Sequence, residues 1–396
     1  MLWLSEYDSM SWICNPERIF VKHIVIVSTS YPLSADGQEA AGTFVADFAE
    51  QLSGHARVTV IAPALQQVDV KINENFEVRY FPVPTLPLSL LNAANPKSWL
   101  PIMTTLYRGK KALQKIVSQQ QIDFIFALWV LPSGYWARAI AQHHHIPYAT
   151  WALGSDIWSL SRLPVIRSVL RQVLADSRIN FADGLQLAND VQEISGKECR
   201  FLPSTRQLAV SPEKVLAANA PYNLVFLGRW HTNKGIDILL ESLALIDAQD
   251  WQRIRRIRIA GGGPMEPMVK AACAKLQSDG RPVELLGYLN KSQATDLLVA
   301  ADYVLIPSRV ESIPVIFSDA MKCGSPVIAM PVGDLPLLLQ QYCAGVLSAD
   351  VTAADFAFAI QQALNKSCEE FRLGLQQASE KFDVQTIVRD FLKAVV

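Results

Sequence analysis

The sequence predicts an α/β protein built from two doubly wound domains. Three observations carry that expectation. The chain has 396 residues, half of them apolar, more than one hydrophobic core usually serves. Short Val- and Ile-rich runs alternate with longer helical patterns. The alternation lapses around Pro203 to Pro221 and then restarts.

In the first half, HIVIVSTS (His23 to Ser30) ends a run of branched residues in small polar ones, as a buried parallel strand does. Thr43 to Leu52 puts Phe44, Val45, Phe48, Ala49 and Leu52 on one helical face, and VTVIAP (Val58 to Pro63) supplies the next strand. That is a βαβ unit. The pattern continues through DFIFALW (Asp123 to Trp129), a helix over Ser133 to Gln142, and the strands PYATWALG (Pro147 to Gly154) and DGLQLA (Asp183 to Ala188). The second half has strands at YNLVFLG (Tyr222 to Gly228), RIRIAGG (Arg256 to Gly262), PVELLG (Pro282 to Gly287), DYVLIP (Asp302 to Pro307) and SPVIAM (Ser325 to Met330). A last helical segment carries an apolar stripe of Phe382, Ile387, Val388, Phe391 and Leu392 with no strand after it, so it is expected to cross back onto the first domain. The chain then divides into an extension (1–21), a first domain (22–205), a second domain (206–375) and the returning helix (376–396). The proline-rich stretch from Pro82 to Pro101 reads either as an excursion near the cleft or as a solvated loop.

A net charge of −1 with evenly mixed signs creates no basic field, so nucleic acid is not an expected partner. No apolar run approaches the roughly 18 to 20 residues that span a bilayer. Glu6 and Asp8 stand where a signal peptide needs a basic start and an apolar stretch. A cytoplasmic protein is expected, at most peripheral at the inner face of the membrane. Arg162, Arg167 and Arg171 alternate with apolar residues on a segment that could rest on anionic lipid or be a core-facing helix with a solvated basic side. Six scattered cysteines without a C-x-x-C pair (Cys14, Cys199, Cys273, Cys323, Cys343 and Cys368) argue against a zinc site and a disulfide framework. His143 to His145 read as a solvated corner rather than a metal site.

Open parallel sheets bind ligands beyond the carboxyl ends of their strands. There, Gly228 is followed by Arg229, and Lys234 and Gly235 stand at the mouth of a helix. Two cations at such a place make an anion site, suited to the charge that builds on a departing diphosphate without a bound metal. Taken singly, either dipeptide could be surface solvation. Gly261, Gly262 and Gly263 end the next strand, allowing either close approach to a flat ligand or only a tight turn. Glu311 and Asp319, seven residues apart between a strand and a helix, can accept hydrogen bonds from two hydroxyl-bearing rings; the alternative is a helix cap and a solvated helix residue. Amides of Ile313, Val315 and Ile316 would face phosphates if they open that helix.

The order Gly228-Arg229, Lys234-Gly235, GGGP (Gly261 to Pro264), Glu311, Asp319 and CGSPVIA (Cys323 to Ala329) resembles the second domain of GT-B retaining glycosyltransferases of family four, the glycosyl transferases group 1. The resemblance runs from about His23 onward, strongly in the second domain and loosely in the first. It implies two Rossmann-like domains facing each other across a cleft, with the C-terminal helix crossing back to the first. It also implies a sugar transferred from a nucleoside diphosphate sugar to a hydroxyl acceptor, either a saccharide or lipid-linked, in cell-surface polysaccharide or glycolipid synthesis. Carried over, the catalytic roles fall on Arg229, Lys234 and Glu311: the two cations hold the diphosphate and Glu311 binds the donor sugar. Asp319 would bind the ribose, one methylene shorter than the family's usual Glu. Gly42, Gly228, Gly262, Gly263, Ile313 and Val315 complete the expected donor set, and no cofactor or metal is implied.

The first domain departs from the family. Phe126, Leu128 and Leu153 stand where histidines are usual, and PSTRQ (Pro203 to Gln207) replaces the P-N-G segment. Gly37 and Gly42 follow the first strand, and Trp129, Asp156 and Trp158 are the expected acceptor-binding residues, an aromatic face beside a carboxylate being apt for a sugar ring. Trp129 could instead be a buried structural residue. Two further readings stay open: another enzyme on the same fold, such as a nucleotide-sugar epimerase or phosphorylase, and a non-catalytic, nucleotide-sugar-binding partner of another transferase.

Overall fold

A computed structural model describes residues 23–32, 42–86, 88, 91, 95–208 and 214–395, so the extension and Gly37 lie outside the described residues. The first sheet contains β1 (His23–Val27), β2 (Arg57–Ala64), β3 (Asp69–Lys71), β4 (Phe76–Pro82), β5 (Phe124–Leu128), β6 (Tyr148–Ala152), β7 (Ile179–Ala182) and β8 (Cys199–Phe201). Its order is β3-β4-β2-β1-β5-β6-β7-β8, and the one antiparallel pair is β3 with β4. The second sheet contains β9 (Tyr222–Arg229), β10 (Ile254–Gly262), β11 (Val283–Leu286), β12 (Tyr303–Ile306), β13 (Val327–Ala329) and β14 (Gly345–Leu347). Its order is β11-β10-β9-β12-β13-β14, parallel throughout. Both sheets are doubly wound, as the sequence predicts.

The absence of polar alternation in β1 has a direct cause. Ile24 and Ile26 enter one hydrophobic layer, and Val25 and Val27 enter the layer on the opposite face, because successive strand side chains point to opposite sides. On the first of these faces Phe48, Phe126, Trp151 and Phe391 form one aromatic cluster. Phe391 belongs to the last helix, Val384–Val395, and its ring lies 4.4 Å from Phe126 and 5.5 Å from Phe48. The returning helix is thus anchored by burial in the first domain. The helix before it, Arg372–Lys381, packs Leu375 and Ala378 into the second-domain core together with Phe382. The crossing therefore falls between Phe382 and Val384, later than residue 376.

One expected strand is misplaced. DGLQLA opens the helix Leu185–Ser195 behind Gly184, and the strand is the preceding INFA. Asn180 interrupts that apolar run and hides it in the sequence. In the fold its amide oxygen accepts from Thr150 Oγ1 at 2.7 Å and Ser177 Oγ at 2.8 Å, which satisfies a polar group buried in the sheet. The helix expected over Ser133 to Gln142 runs Tyr135–His144. In the basic segment, Pro164–Asp176 buries Leu170, Val173 and Leu174, while Arg162, Arg167 and Arg171 stay exposed, the arrangement of a core-facing helix with a solvated side. Among the described residues no helix is long and apolar enough to cross a membrane, and no cluster could hold a metal ion.

Candidate functional site

The carboxyl ends of the two sheets face one cavity of about 1050 Å³. Arg229 ends β9 and is exposed on its wall. Gly261 has φ +130°, and a Cβ there would lie 1.9 Å from the Gly228 carbonyl oxygen, so glycine is what lets β9 and β10 end side by side. Lys234 closes the short turn Thr232–Lys234. Gly235 follows with φ +65°, and a Cβ there would fall 1.8 Å from the Pro307 carbonyl oxygen, so the turn sits hard against the end of β12. Arg309 staples the two loops together, its guanidinium meeting Asp237 at 2.7 and 2.6 Å and the Thr232 carbonyl at 2.7 Å.

That staple brings Lys234 to Glu311. Their side chains form an ion pair, and Ser308 Oγ donates to the same Glu311 oxygen at 2.9 Å. Glu311 is 11% exposed and Lys234 38%. Ile313, Val315 and Ile316 line the cavity where the helix Val315–Lys322 begins, and the first amides of a helix lack intrahelical partners. Arg229, Lys234, Glu311, Gly228, Ile313, Val315 and Trp129 therefore meet at one cavity.

Other expected site residues do not reach it. Asp319 is fully buried and forms an ion pair with Arg206, with Lys322 3.7 Å away. It is engaged in holding the interdomain segment rather than offering an acceptor to a ribose. Burial works against the Arg206 charge, but Asp319 outweighs it and holds the guanidinium above its ordinary pKa. For Lys322 burial wins and lowers it. Asp156 is also a correction. It is buried and accepts from the amides of Val130 at 2.6 Å and Leu153 at 3.1 Å, while burial pushes its carboxyl up to about 6 against those bonds. Trp158 turns away from the cavity to donate to Asp190 at 2.7 Å. Both expected acceptor contacts are structural.

Three glycines act at one remove. Gly42 has φ +92°, and a Cβ there would lie 2.9 Å from the Ser30 and Tyr31 backbone. It starts the helix Thr43–Ser53 close to the end of β1, and Thr43 and Phe44 line the cavity in its place. Gly262 lies under the Tyr288 ring and Gly263 against the Trp230 carbonyl, neither on the wall. At the departures from the family pattern, Phe126 and Leu128 are core residues and Leu153 lines the cavity.

Several wall residues escaped the sequence reading. Arg206 lines the cavity; the charge in PSTRQ was its signal. Asp47 accepts from Lys291 Nζ at 2.8 and 3.0 Å and from the Gln207 amide at 2.7 Å, tying the first helix to the second domain. Asp183 is buried on the wall beside Ser312 and Ser204, and burial pushes its carboxyl up to about 7. Off the wall, Asp334 accepts from the amides of Leu185 and Gln186 across the domain boundary, as an anion at a helix N-terminus does. Asp47, Asp183 and Asp334 have no local pattern to reveal them.

Residues 221–366 match the family model described as Glycosyl transferases group 1. The match covers most of the second domain. A D-inositol 3-phosphate glycosyltransferase of Jonesia denitrificans is 30% identical over 202 residues, 48% of this chain and 47% of that protein. The gpi3 subunit of the phosphatidylinositol N-acetylglucosaminyltransferase of Schizosaccharomyces pombe is 28% identical over 175 residues, 44% of this chain and 34% of that one. The matched stretch thus spans less than half the length of these relatives. The fold of nearly the whole chain is that of GT-B glycosyltransferases. Sucrose-phosphate synthase of Thermosynechococcus elongatus superposes with a TM-score of 0.70 at 17% identity, over 94% of this chain and 98% of that one. HepE of Anabaena in complex with UDP gives 0.68, also at 17% identity over 94% and 98%.

Proposed function

We propose that this protein is a retaining glycosyltransferase, moving a sugar from a nucleoside diphosphate sugar to a hydroxyl acceptor in cell-surface polysaccharide or glycolipid synthesis on the cytoplasmic side of the membrane. The observation that carries the reading is the meeting of Arg229, Lys234 and Glu311 at one cavity between the domains. In the transfer, the anomeric carbon–oxygen bond to the diphosphate breaks with its electron pair going to the diphosphate. A bond to the acceptor oxygen forms, and the hydroxyl proton is released.

Arg229 and Lys234 take up the charge that grows on the leaving group, the work a metal ion does in other transferases. An arriving diphosphate competes with Glu311 for Lys234, and Glu311, freed from its partner, accepts from the sugar hydroxyls. UDP bound in a neighbour of the same fold makes UDP-sugars the first donors to try. The test is a thermal-shift screen over a panel of nucleotide sugars, since a ligand that binds only the folded state raises its stability with concentration. Stabilisation by one of them, lost in Lys234→Ala, is expected. No stabilisation by any, or full stabilisation in the variant, refutes the reading. NMR of the product then fixes the anomeric configuration.

A further inference from the structure

The first-domain wall of the cavity is apolar where a saccharide acceptor would need hydrogen-bonding partners. Pairing of β3 with β4 sets Val70 opposite Val78, with the Tyr80 amide on the Val68 carbonyl at 2.8 Å and the Ile72 amide on that of Phe76 at 2.9 Å. Val68, Val70 and Ile72 therefore stand on the sheet face that carries Phe76, Val78 and Tyr80, because strand side chains alternate with a period of two. Over the neighbouring strands, the helix Thr43–Ser53 covers that face with Phe48 and Leu52. At the sheet edge the face stays open, and Val68, Val70 and Ile72 are 46%, 37% and 50% exposed while lining the cavity that also holds Lys234 and Glu311.

Glu50 is an exposed carboxylate elsewhere on this wall, but the acids and the hydroxyl that could serve the apolar patch are engaged. Asp47 is held by Lys291 and the Gln207 amide. The Tyr80 hydroxyl donates to the Pro32 carbonyl at 2.7 Å. Asp183 is buried beside Ser204 and Ser312, and the expected polar contact Asp156 is consumed by backbone amides. A sugar laid on Val68, Val70 and Ile72 themselves would give up water from its hydroxyls without replacing those bonds. A hydrocarbon chain would give up none.

We propose that the wall formed by Val68, Val70 and Ile72 with Val78, Phe44 and Trp129 binds the hydrocarbon portion of an amphiphilic acceptor, whose hydroxyl-bearing head reaches the donor sugar at Glu311. The inference rests on the transferase reading above for the identity of the head, and on the apolar wall alone for the chain. The continuity of this wall with the donor half selects a substrate as the occupant over a strand from another protein. The edge strand itself is only three residues long and carries Asp69 and Lys71 on its other face, as edges that resist pairing do.

The test uses the full chain with UDP present and a series of β-D-glucosides with methyl, butyl, hexyl and octyl chains, each below its micelle-forming concentration, titrated by calorimetry. Each buried methylene is expected to tighten binding about fourfold, so octyl should exceed butyl by roughly 200-fold. The triple variant Val68→Thr/Val70→Thr/Ile72→Thr keeps strand-compatible β-branched side chains, and should reduce that ratio to below about tenfold. Stabilisation of the variant by UDP reports that its donor half is folded. Binding independent of chain length overturns the proposal, as does a triple variant that keeps the full ratio. So does light scattering that shows a dimer dissolved by the same substitutions, since the wall would then be an interface between copies. Chain-length dependence in a protein that no nucleotide sugar of the panel stabilises would instead refute the transferase reading and leave the apolar site standing.

Discussion

Replacing Asp319 separates two roles that its position in the sequence confounds. A ribose-binding carboxylate would be exposed to the cavity, and its removal would weaken donor binding while leaving stability nearly untouched. In the structure Asp319 is fully buried, with Arg206 and Lys322 against it at 19% and 10% side-chain exposure. Asp319→Ala would leave two cations desolvated without their shared anion, and breaking a buried pair from one side costs about 3–5 kcal/mol. At roughly 2 °C per kcal/mol for a protein larger than a small domain, the melting temperature should fall by about 6–10 °C. Arg206→Met alone and the double variant Arg206→Met/Asp319→Leu complete a cycle. The double variant should recover more than half of the loss, because most of the penalty is the unpaired charge. Differential scanning calorimetry reads stability, and titration with a stabilising nucleotide sugar reads donor affinity. A loss under about 1 kcal/mol accompanied by a tenfold or greater loss of donor affinity would refute the structural role and restore the ribose contact.

Phe391→Ala empties a side chain fully buried against Phe126, Phe48 and Phe181; a loss of about 3–5 kcal/mol is expected in urea unfolding, and a loss below 1 kcal/mol would mean that the returning helix is not part of the first-domain core. Asp183, raised from 3.8 to about 7 by burial, keeps a proton in the folded chain that the unfolded chain releases. Its contribution to stability is thus full below about pH 4 and is lost as pH rises to about 7, on the order of 4 kcal/mol in all. Asp183→Asn should flatten the fall in melting temperature over that window, and an unchanged slope would refute the burial of the charge. Gly261→Ala forces a Cβ onto the Gly228 carbonyl at a φ of +130°, so calorimetric titration should show donor binding weakened at least tenfold; wild-type affinity would refute the close approach of the two strand ends.

The strands with continuous branched runs, β1, β2, β5, β9 and β12, were legible because burial on both faces writes itself into every residue. β7 was not, since Asn180 breaks the run and is made tolerable only by Thr150 and Ser177 from elsewhere in the chain. β3, β4, β8 and β14 also went unread; β3, β8 and β14 are three residues each, too short for a period to show, and β4 alternates Glu77 and Arg79 with apolar residues. In the site, Arg229, Lys234 and Glu311 could be read because each follows a strand or opens a turn, places where a parallel sheet exposes its ligand-facing edge. Asp156 and Asp319 were misread because a carboxylate in a sequence looks the same whether it faces solvent, backbone amides or a buried guanidinium.

The two α/β domains, the glycine-flanked cations at the strand ends and the apolar stripe of the returning helix can be read from the chain, being consequences of local spacing and side-chain polarity. That Arg206 claims Asp319, that Lys234 closes on Glu311, and that Val68, Val70 and Ile72 wall the first-domain side of the cavity is visible only in the folded chain. The physical reason is distance along the chain: Arg206 and Asp319 are 113 residues apart and Lys234 and Glu311 are 77 apart, and pairings of that kind leave no periodic trace in either segment.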